Sequence, residues 1–168
     1  MMRAPTAFVH PLYYAESEEV ETGRFNWQSS LTVPFKYDIA YALGLAPSNL
    51  PWEHHTETVP LLFQLWKEKE VKLNTLHNKR ERSDVKVHVI GGIALLLQAI
   101  FWMNQVPVRS LADWEKEISQ LPEIPVNIEE RLDFVMKKPE LYHSFIQLQQ
   151  LFTESSKLFY KMQAIQKR

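Results

Sequence analysis

The sequence predicts an all-α protein: a single-domain helical bundle with a buried central helix at about 84–104 and an irregular N-terminal arm. Three observations lead to this prediction. The seventeen residues from Val87 to Met103 carry no formal charge. Apolar side chains occur on every face of the helix that they would form, so other helices must surround it. Several amphipathic segments are available to do so, and strand patterns are nearly absent.

The length of 168 residues suits one domain, and a chain of this size buries roughly 70% of its unfolded surface. We therefore predict a single helical domain over 1–168, in which 1–30 form the arm and 31–168 form the helical core. Aromatic residues alternate with acidic ones in the arm. Because disordered tails are poor in aromatic residues, we expect the arm to wrap over the helices.

Two helices are predicted before the central one. Pro34 suits the first turn of a short helix that ends at Gly44, since proline is tolerated at a helix start and glycine favours the C-terminal cap. Thr58 can cap a longer helix with Pro60 in its first turn. The apolar residues of this longer helix recur every three or four positions, which indicates one buried stripe.

Three helices are predicted after the central one. Ser110 followed by Asp113 resembles a capping box, and Asn127 followed by Glu130 gives a second capping signal. Pro139 is expected to start the last helix. Side chains on that helix follow a four-three spacing, at Leu141, Phe145, Leu148, Phe152, Ser155, Phe159 and Met162. Further apolar residues widen the stripe, which favours packing into a bundle over a free two-stranded coiled coil.

Composition narrows the classes of function. The formal net charge of −1 gives the chain no general attraction to nucleic acid or acidic lipid. The absence of cysteine removes disulfides, thiolate catalysis and cysteine-based zinc sites. The Gly91-Gly92 pair lacks the continuation of a phosphate loop, and no nucleophile motif is present. No apolar signal-peptide region is found. We expect a cytoplasmic protein without a membrane span, and we assign no catalytic residue and no cofactor.

Adjacent histidines in the segment His54-His55-Thr56-Glu57 are a first candidate for metal binding, since imidazole and carboxylate are zinc and iron ligands. Adjacent positions on a helix point about 100° apart, and a metallohydrolase helix instead places its two histidines four residues apart. An exposed polar turn explains this segment better.

Two further histidines, His88 and His143, fall on predicted helices. A metal site would need them to converge with a third ligand such as Glu140 or His77. A histidine at the boundary of the core explains each of them equally well. The spacing of Glu140 and His143 matches the carboxylate–histidine pair of di-iron bundles, but such a site needs two copies. The sequence assigns no metal ligand and leaves open whether His54, His55, His88 or His143 binds one.

The segment 67–86 contains seven basic and four acidic residues. Lys79, Arg80 and Arg82 lie in its polar interhelix turn and are the residues we would assign to nucleic-acid contact. More basic residues follow near the end of the last helix, and a phosphate-binding patch would form if the two groups met in space. A solvated helix face with mixed charges is the commoner explanation.

The second half of the chain carries a family resemblance. The residues that carry it are Phe101-Trp102-Met103-Asn104-Gln105-Val106-Pro107-Val108, Pro125-Val126-Asn127-Ile128-Glu129-Glu130-Arg131-Leu132 and Lys138-Pro139-Glu140-Leu141-Tyr142-His143-Ser144-Phe145. This half is similar to the YpoC-like family of small bacterial proteins over about 85–160. The resemblance implies a helical fold and a Gram-positive bacterial origin. It brings no activity, cofactor or catalytic residue.

These observations favour a non-enzymatic helical protein-interaction or adaptor module, which docks onto an unknown protein partner or forms a homodimer. Plentiful aromatic residues would supply contact anchors. The alternative is a weak nucleic-acid-binding helical protein. A helical-bundle metal-dependent enzyme is a third hypothesis, because bundles can host active sites without linear motifs.

Overall fold

The computed structural model describes residues 1–167, which are 62% helical. Within them lie six α-helices and a two-stranded antiparallel sheet. The bounds are β1 Met2–Arg3, β2 Glu19–Val20, α1 Lys36–Ala42, α2 His55–Asn78, α3 Arg82–Met103, α4 Trp114–Ser119, α5 Ile128–Lys137 and α6 Tyr142–Gln166. Short 3₁₀ turns occupy Thr6–Phe8, Ser30–Thr32 and Pro51–His54. The predicted all-α helical bundle is confirmed.

The central helix, α3, is covered by its neighbours as predicted. Every residue from Gly92 to Met103 is buried, and α2, α5 and α6 all pack against it. Among the helices of residues 1–167, α3 is long and apolar enough to cross a membrane, and 72% of its most apolar window is buried inside the protein. From Gly92 onward its lack of a polar face follows from this position, because neighbouring segments cover it.

Three helices meet closely at Gly92. A Cβ atom there would lie 2.8 Å from the Trp66 ring of α2 and 3.0 Å from Leu148 of α6. The indole of Trp66 in turn stacks on Phe152 of α6, with 4.4 Å between ring centroids. A glycine is needed at this point because the neighbouring helices leave no volume for a side chain.

The first thirty residues lie against the helices. Their buried side chains belong to Met2, Ala4, Phe8, Tyr14, Val20 and Ser30. The Tyr13 hydroxyl donates to the carbonyl oxygen of Ile90 in α3 at 2.7 Å. The carbonyl of Ala7 accepts from the backbone N–H groups of Leu111 and Ala112. These bonds attach the segment to the middle of the bundle.

Two helix starts predicted from the first half of the sequence are wrong. α1 begins at Lys36, two residues after Pro34, because Phe35 adopts a left-handed conformation at the cap. α2 begins three residues before Thr58, directly after a 3₁₀ turn. The Thr58 hydroxyl therefore does not cap the helix and donates to the carbonyl of Pro51 at 2.8 Å. Pro60 then lies inside the helix, where it removes one backbone hydrogen bond.

The capping signals of the second half have mixed outcomes. The Ser110 hydroxyl accepts from the Asp113 N–H at 2.9 Å, which is one of the two bonds of a capping box. The predicted capping box is nevertheless wrong for α4, whose cap is Asp113, three residues after Ser110. Asn127 stands at the cap of α5, although its side chain makes no capping bond. Pro139 does not start the last helix. A turn intervenes in which the Lys138 carbonyl accepts from the Ser144 hydroxyl at 2.5 Å, and α6 begins at Tyr142.

One carboxyl group is buried in the core. Oδ2 of Asp38 in α1 accepts from the indole N–H of Trp102 at 3.0 Å and from the backbone N–H of Val108 at 2.7 Å. Its other oxygen has no hydrogen-bond partner within residues 1–167. Burial raises the pKa of Asp38 to about 6, although the two hydrogen bonds act in the opposite direction. Asp38 thus joins α1 to the C-terminal end of α3.

Candidate functional site

The turn between α2 and α3 is built as a Schellman motif. The backbone N–H of Arg80 donates to the carbonyl of His77, and the N–H of Glu81 donates to the carbonyl of Leu76. Arg80 itself has a left-handed conformation, with φ of 58°. This arrangement satisfies the last carbonyls of α2 and holds the turn in one geometry. Glycine is the residue most often found at the position of Arg80.

A cleft of about 330 Å³ opens beside this turn and is called the hairpin cleft below. Its walls come from the end of α2, the turn and the start of α3, and the segment that enters α6. The residues are Leu76, His77, Arg80, Glu81, Arg82, Val85, Glu140, Leu141 and Tyr142. Apolar side chains therefore form much of the lining, while two guanidinium and two carboxylate groups occupy the rest.

Aromatic rings join α2 to the start of α6 at this cleft. The His77 ring stacks on Phe145 at 5.2 Å and meets the edge of Tyr142 at 5.1 Å. Burial lowers the pKa of His77 below its usual value and so favours the neutral imidazole. Its Nε2 atom is buried without a hydrogen-bond partner in residues 1–167. Tyr142 is 54% exposed and presents an aromatic surface beside the opening.

The predicted nucleic-acid contacts lie at this turn. Arg80 and Arg82 line the hairpin cleft, and Lys79 is exposed next to it at the end of α2. Within residues 1–167, no hydrogen bond or ion pair involves the side chains of these three residues. Arg131, by contrast, forms a bidentate pair with Glu154. The guanidinium groups at the cleft are therefore free to bind an external acceptor.

The two predicted basic groups do not meet at the cleft. α2 and α6 run antiparallel, because His77 contacts Tyr142 whereas Phe63 contacts Phe159. The basic residues at the end of α6 thus lie toward the start of α2, roughly 20–35 Å from the turn at 1.5 Å per helical residue. Lys67 does come near Lys157, in a separate groove. The turn and the end of α6 do not form one continuous basic patch.

The candidate metal ligands are dispersed. His54 ends a 3₁₀ turn and packs on Trp27, and His55 begins α2. The exposure predicted for this segment is confirmed at His54, Thr56 and Glu57, but the predicted turn is wrong from His55 onward, where the chain is helical. His143 is exposed on α6, and His88 is partly buried on α3. Across residues 1–167, no group of three histidine, aspartate or glutamate side chains is arranged to hold a metal ion.

Sequence reasoning found the two arginines of the cleft but did not find its remaining walls. His77 follows Leu73 by four positions, so the buried stripe of α2 was a signal for its inward orientation. No comparable signal exists for Glu140, Leu141 and Tyr142. They reach the cleft only because α6 packs antiparallel to α2.

Known proteins are similar to this chain over most of its length. The family model described as YpoC-like protein matches residues 56–167, from α2 through α6. The chain is also 36% identical, over 135 residues, to the uncharacterized protein YpoC of Bacillus subtilis (strain 168), and the match covers 80% of each chain. No solved structure matches. The family match contains every wall of the hairpin cleft and extends the resemblance seen over 85–160. The chain belongs to the YpoC-like family.

Proposed function

We propose that this protein is a non-enzymatic interaction module that binds an acidic segment of a partner protein in the hairpin cleft. The conformation of Arg80 carries the proposal. A side chain in the left-handed region costs about 1 kcal/mol relative to glycine. Arg80 nevertheless occupies this position and lines the cleft, and its side chain forms no hydrogen bond or ion pair within residues 1–167. An arginine that costs stability and whose guanidinium group has no internal partner is best explained by an external acceptor.

The chemistry of the cleft specifies the occupant. Guanidinium groups bind carboxylates through paired hydrogen bonds, and Arg80 and Arg82 supply two such groups. The volume of about 330 Å³ is at the small end for ligand pockets and fits one or two side chains. Leu76, Val85 and Leu141 offer these side chains an apolar surface. A peptide with an aliphatic residue between carboxylates matches these features.

A protein partner fits better than nucleic acid. Glu81 and Glu140 line the same cleft and would repel a phosphate backbone, whereas a peptide can place its own donors against them. The basic end of α6 is too distant to continue a phosphate track from the turn. Tyr142 provides the exposed aromatic anchor that is common at protein interfaces.

Site-specific photo-crosslinking in the native bacterium tests the proposal. A photoreactive phenylalanine derivative replaces Tyr142 and should give a discrete adduct with one protein. The same residue at Val126, which is 73% exposed on the loop before α5, should not give this adduct.

Charge changes then show whether the arginines hold the partner. The double variant Arg80→Gly, Arg82→Gln should lose the adduct, while Arg109→Gln, at an exposed position near the other end of α3, should keep it. With Arg80→Glu, a carboxylate-to-arginine change in the partner should restore binding. An adduct that survives loss of both arginines, or no adduct at all, would refute the proposal. Adducts with nucleic acid or with a second copy of the chain would also refute it and would favour those alternatives.

A further inference from the structure

A second basic cluster lies on α2 and α3, farther from the turn than the hairpin cleft. The Nζ atom of Lys69 lies 2.9 Å from the point where a Cβ on Gly91 would stand, so its ammonium group rests against the backbone of α3. Lys72 follows Lys69 by three residues toward the turn, and His88 precedes Gly91 by the same number. Because α2 and α3 run antiparallel, these side chains gather in one place.

The polar groups of this cluster lack internal partners. Lys69 is partly buried, and within residues 1–167 its ammonium makes no hydrogen bond and no ion pair. The Nδ1 atom of His88 is buried and also has no partner there. Buried polar atoms are almost always paired, and an exception often marks the place of an ion or ligand.

The positive charges of the cluster are also only partly compensated by nearby carboxylates. Burial lowers the pKa of His88, the charges of Lys69 and Lys72 lower it further, and Asp84 only partly opposes them. Burial and the nearby Lys72 likewise lower the pKa of Lys69. Two ammonium groups therefore disfavour the charged form of one imidazole, and an anion placed among them would relieve the repulsion.

We infer that Lys69, Lys72 and His88 form a binding site for a phosphate-type oxyanion. Lysine ammonium groups bind phosphate as compact charges, and the imidazole can donate one hydrogen bond. A tetrahedral oxyanion can give each of the three groups an oxygen of its own, whereas two of the groups would have to share one oxygen of a carboxylate. Gly91 is part of the site because a side chain there would displace the Lys69 ammonium. The anion comes either as inorganic phosphate or as the phosphate group of a small metabolite.

Nuclear magnetic resonance of the His88 ring tests this inference on the full chain. Titration with inorganic phosphate at constant ionic strength should shift the ring signals saturably, and chloride should not. Glycerol phosphate is the second probe. If it binds as tightly as inorganic phosphate, the natural ligand is a phosphorylated metabolite. If it does not bind, the natural ligand is free phosphate.

Variants locate the site. Lys69→Gln should weaken phosphate binding roughly tenfold, because a charged hydrogen bond contributes about 1.5 kcal/mol or more. Lys67→Gln, at an exposed lysine of the same helix, should leave binding unchanged. Gly91→Ala should weaken binding without unfolding the protein. Shifts that do not saturate, or that are equal in chloride, would overturn the inference, as would full affinity in Lys69→Gln. Arg80→Gly should retain phosphate binding, so the experiment tests this site independently of the proposed function of the hairpin cleft.

Discussion

The neighbouring glycines of α3 provide a matched pair of substitutions, Gly91→Ala and Gly92→Ala. Both positions lie inside the same helix, so alanine should bring the same gain of about 1 kcal/mol in helix propensity at each. The two positions differ in what the added methyl group meets. At Gly91 it meets the end of the Lys69 side chain at 2.9 Å, and at Gly92 it meets Trp66 at 2.8 Å and Leu148 at 3.0 Å.

The neighbours differ in their freedom to move. The Lys69 ammonium is the far end of a flexible side chain and can turn away at little cost. The Trp66 ring is stacked on Phe152, and Leu148 is fully buried on α6, so neither can yield without disturbing the core. Overpacking of this kind costs typically 1–3 kcal/mol. We therefore expect Gly91→Ala to raise the free energy of unfolding by up to about 1 kcal/mol. Gly92→Ala should lower it by about 1 kcal/mol.

Urea and thermal unfolding of the two variants and the wild type will measure this difference. For a chain of this length, a separation of about 2 kcal/mol corresponds to roughly 4–8 °C in melting temperature. Leu148→Ala provides a further check, since a shorter side chain makes room for the methyl group. Gly92→Ala should then cost less in the Leu148→Ala background than alone. Equal stability of the two alanine variants would refute the close meeting of α2, α3 and α6.

Four other predictions follow from single residues. For Asp38, the folded pKa of about 6 lies above the ordinary value of 3.8, so the stability that this carboxyl contributes is lost as pH rises from about 4 to 6. The free energy of unfolding of Asp38→Asn, measured in urea, should therefore rise relative to that of the wild type by up to about 3 kcal/mol over this range. A difference that does not change with pH would contradict this prediction. Arg80→Gly should raise the free energy of unfolding by up to about 1 kcal/mol, because glycine adopts the left-handed conformation without penalty; a less stable variant would show that Arg80 is not strained. Leu96→Asp places a charge at a fully buried position and should leave little folded protein in soluble fractions, whereas an unchanged melting temperature would disprove its burial. Fluorescence titration with short single- and double-stranded DNA and RNA at low salt should show no saturable binding at micromolar protein; salt-sensitive binding that is lost on charge reversal at Arg80 and Arg82 would favour the nucleic-acid alternative.

Most of the fold could be predicted because its signals are local. The apolar run of α3 indicates a surrounded helix whatever the rest of the chain does. The start of α2 was mispredicted because Pro51–His54 form a turn that runs directly into the helix. Thr58 consequently faces inward instead of standing at the end. The strands β1 and β2 are two residues long each, too short to produce an alternating pattern.

The candidate sites were only partly predictable, because they depend on which helices become neighbours. The charges of Arg80 and Arg82 and their place in a polar turn are visible in the sequence. The contribution of Tyr142 to the same cleft requires the antiparallel packing of α2 and α6. The meeting of Lys69 with Gly91 requires the relative alignment of α2 and α3, and no spacing within either helix encodes that alignment.

The bonds between the arm and the middle of the chain have a consequence for synthesis on the ribosome. The carbonyl of Ala7 is hydrogen-bonded to Ser110, Leu111 and Ala112, more than 100 residues later. At a synthesis rate of about 5–20 residues per second, roughly ten seconds therefore pass between the synthesis of the arm and that of its hydrogen-bond partners. During that interval Phe8, which is fully buried in the finished protein, has only earlier-made neighbours such as Phe35 to cover it. We expect nascent chains that stop before Ser110 to be the form that ribosome-associated chaperones bind most strongly.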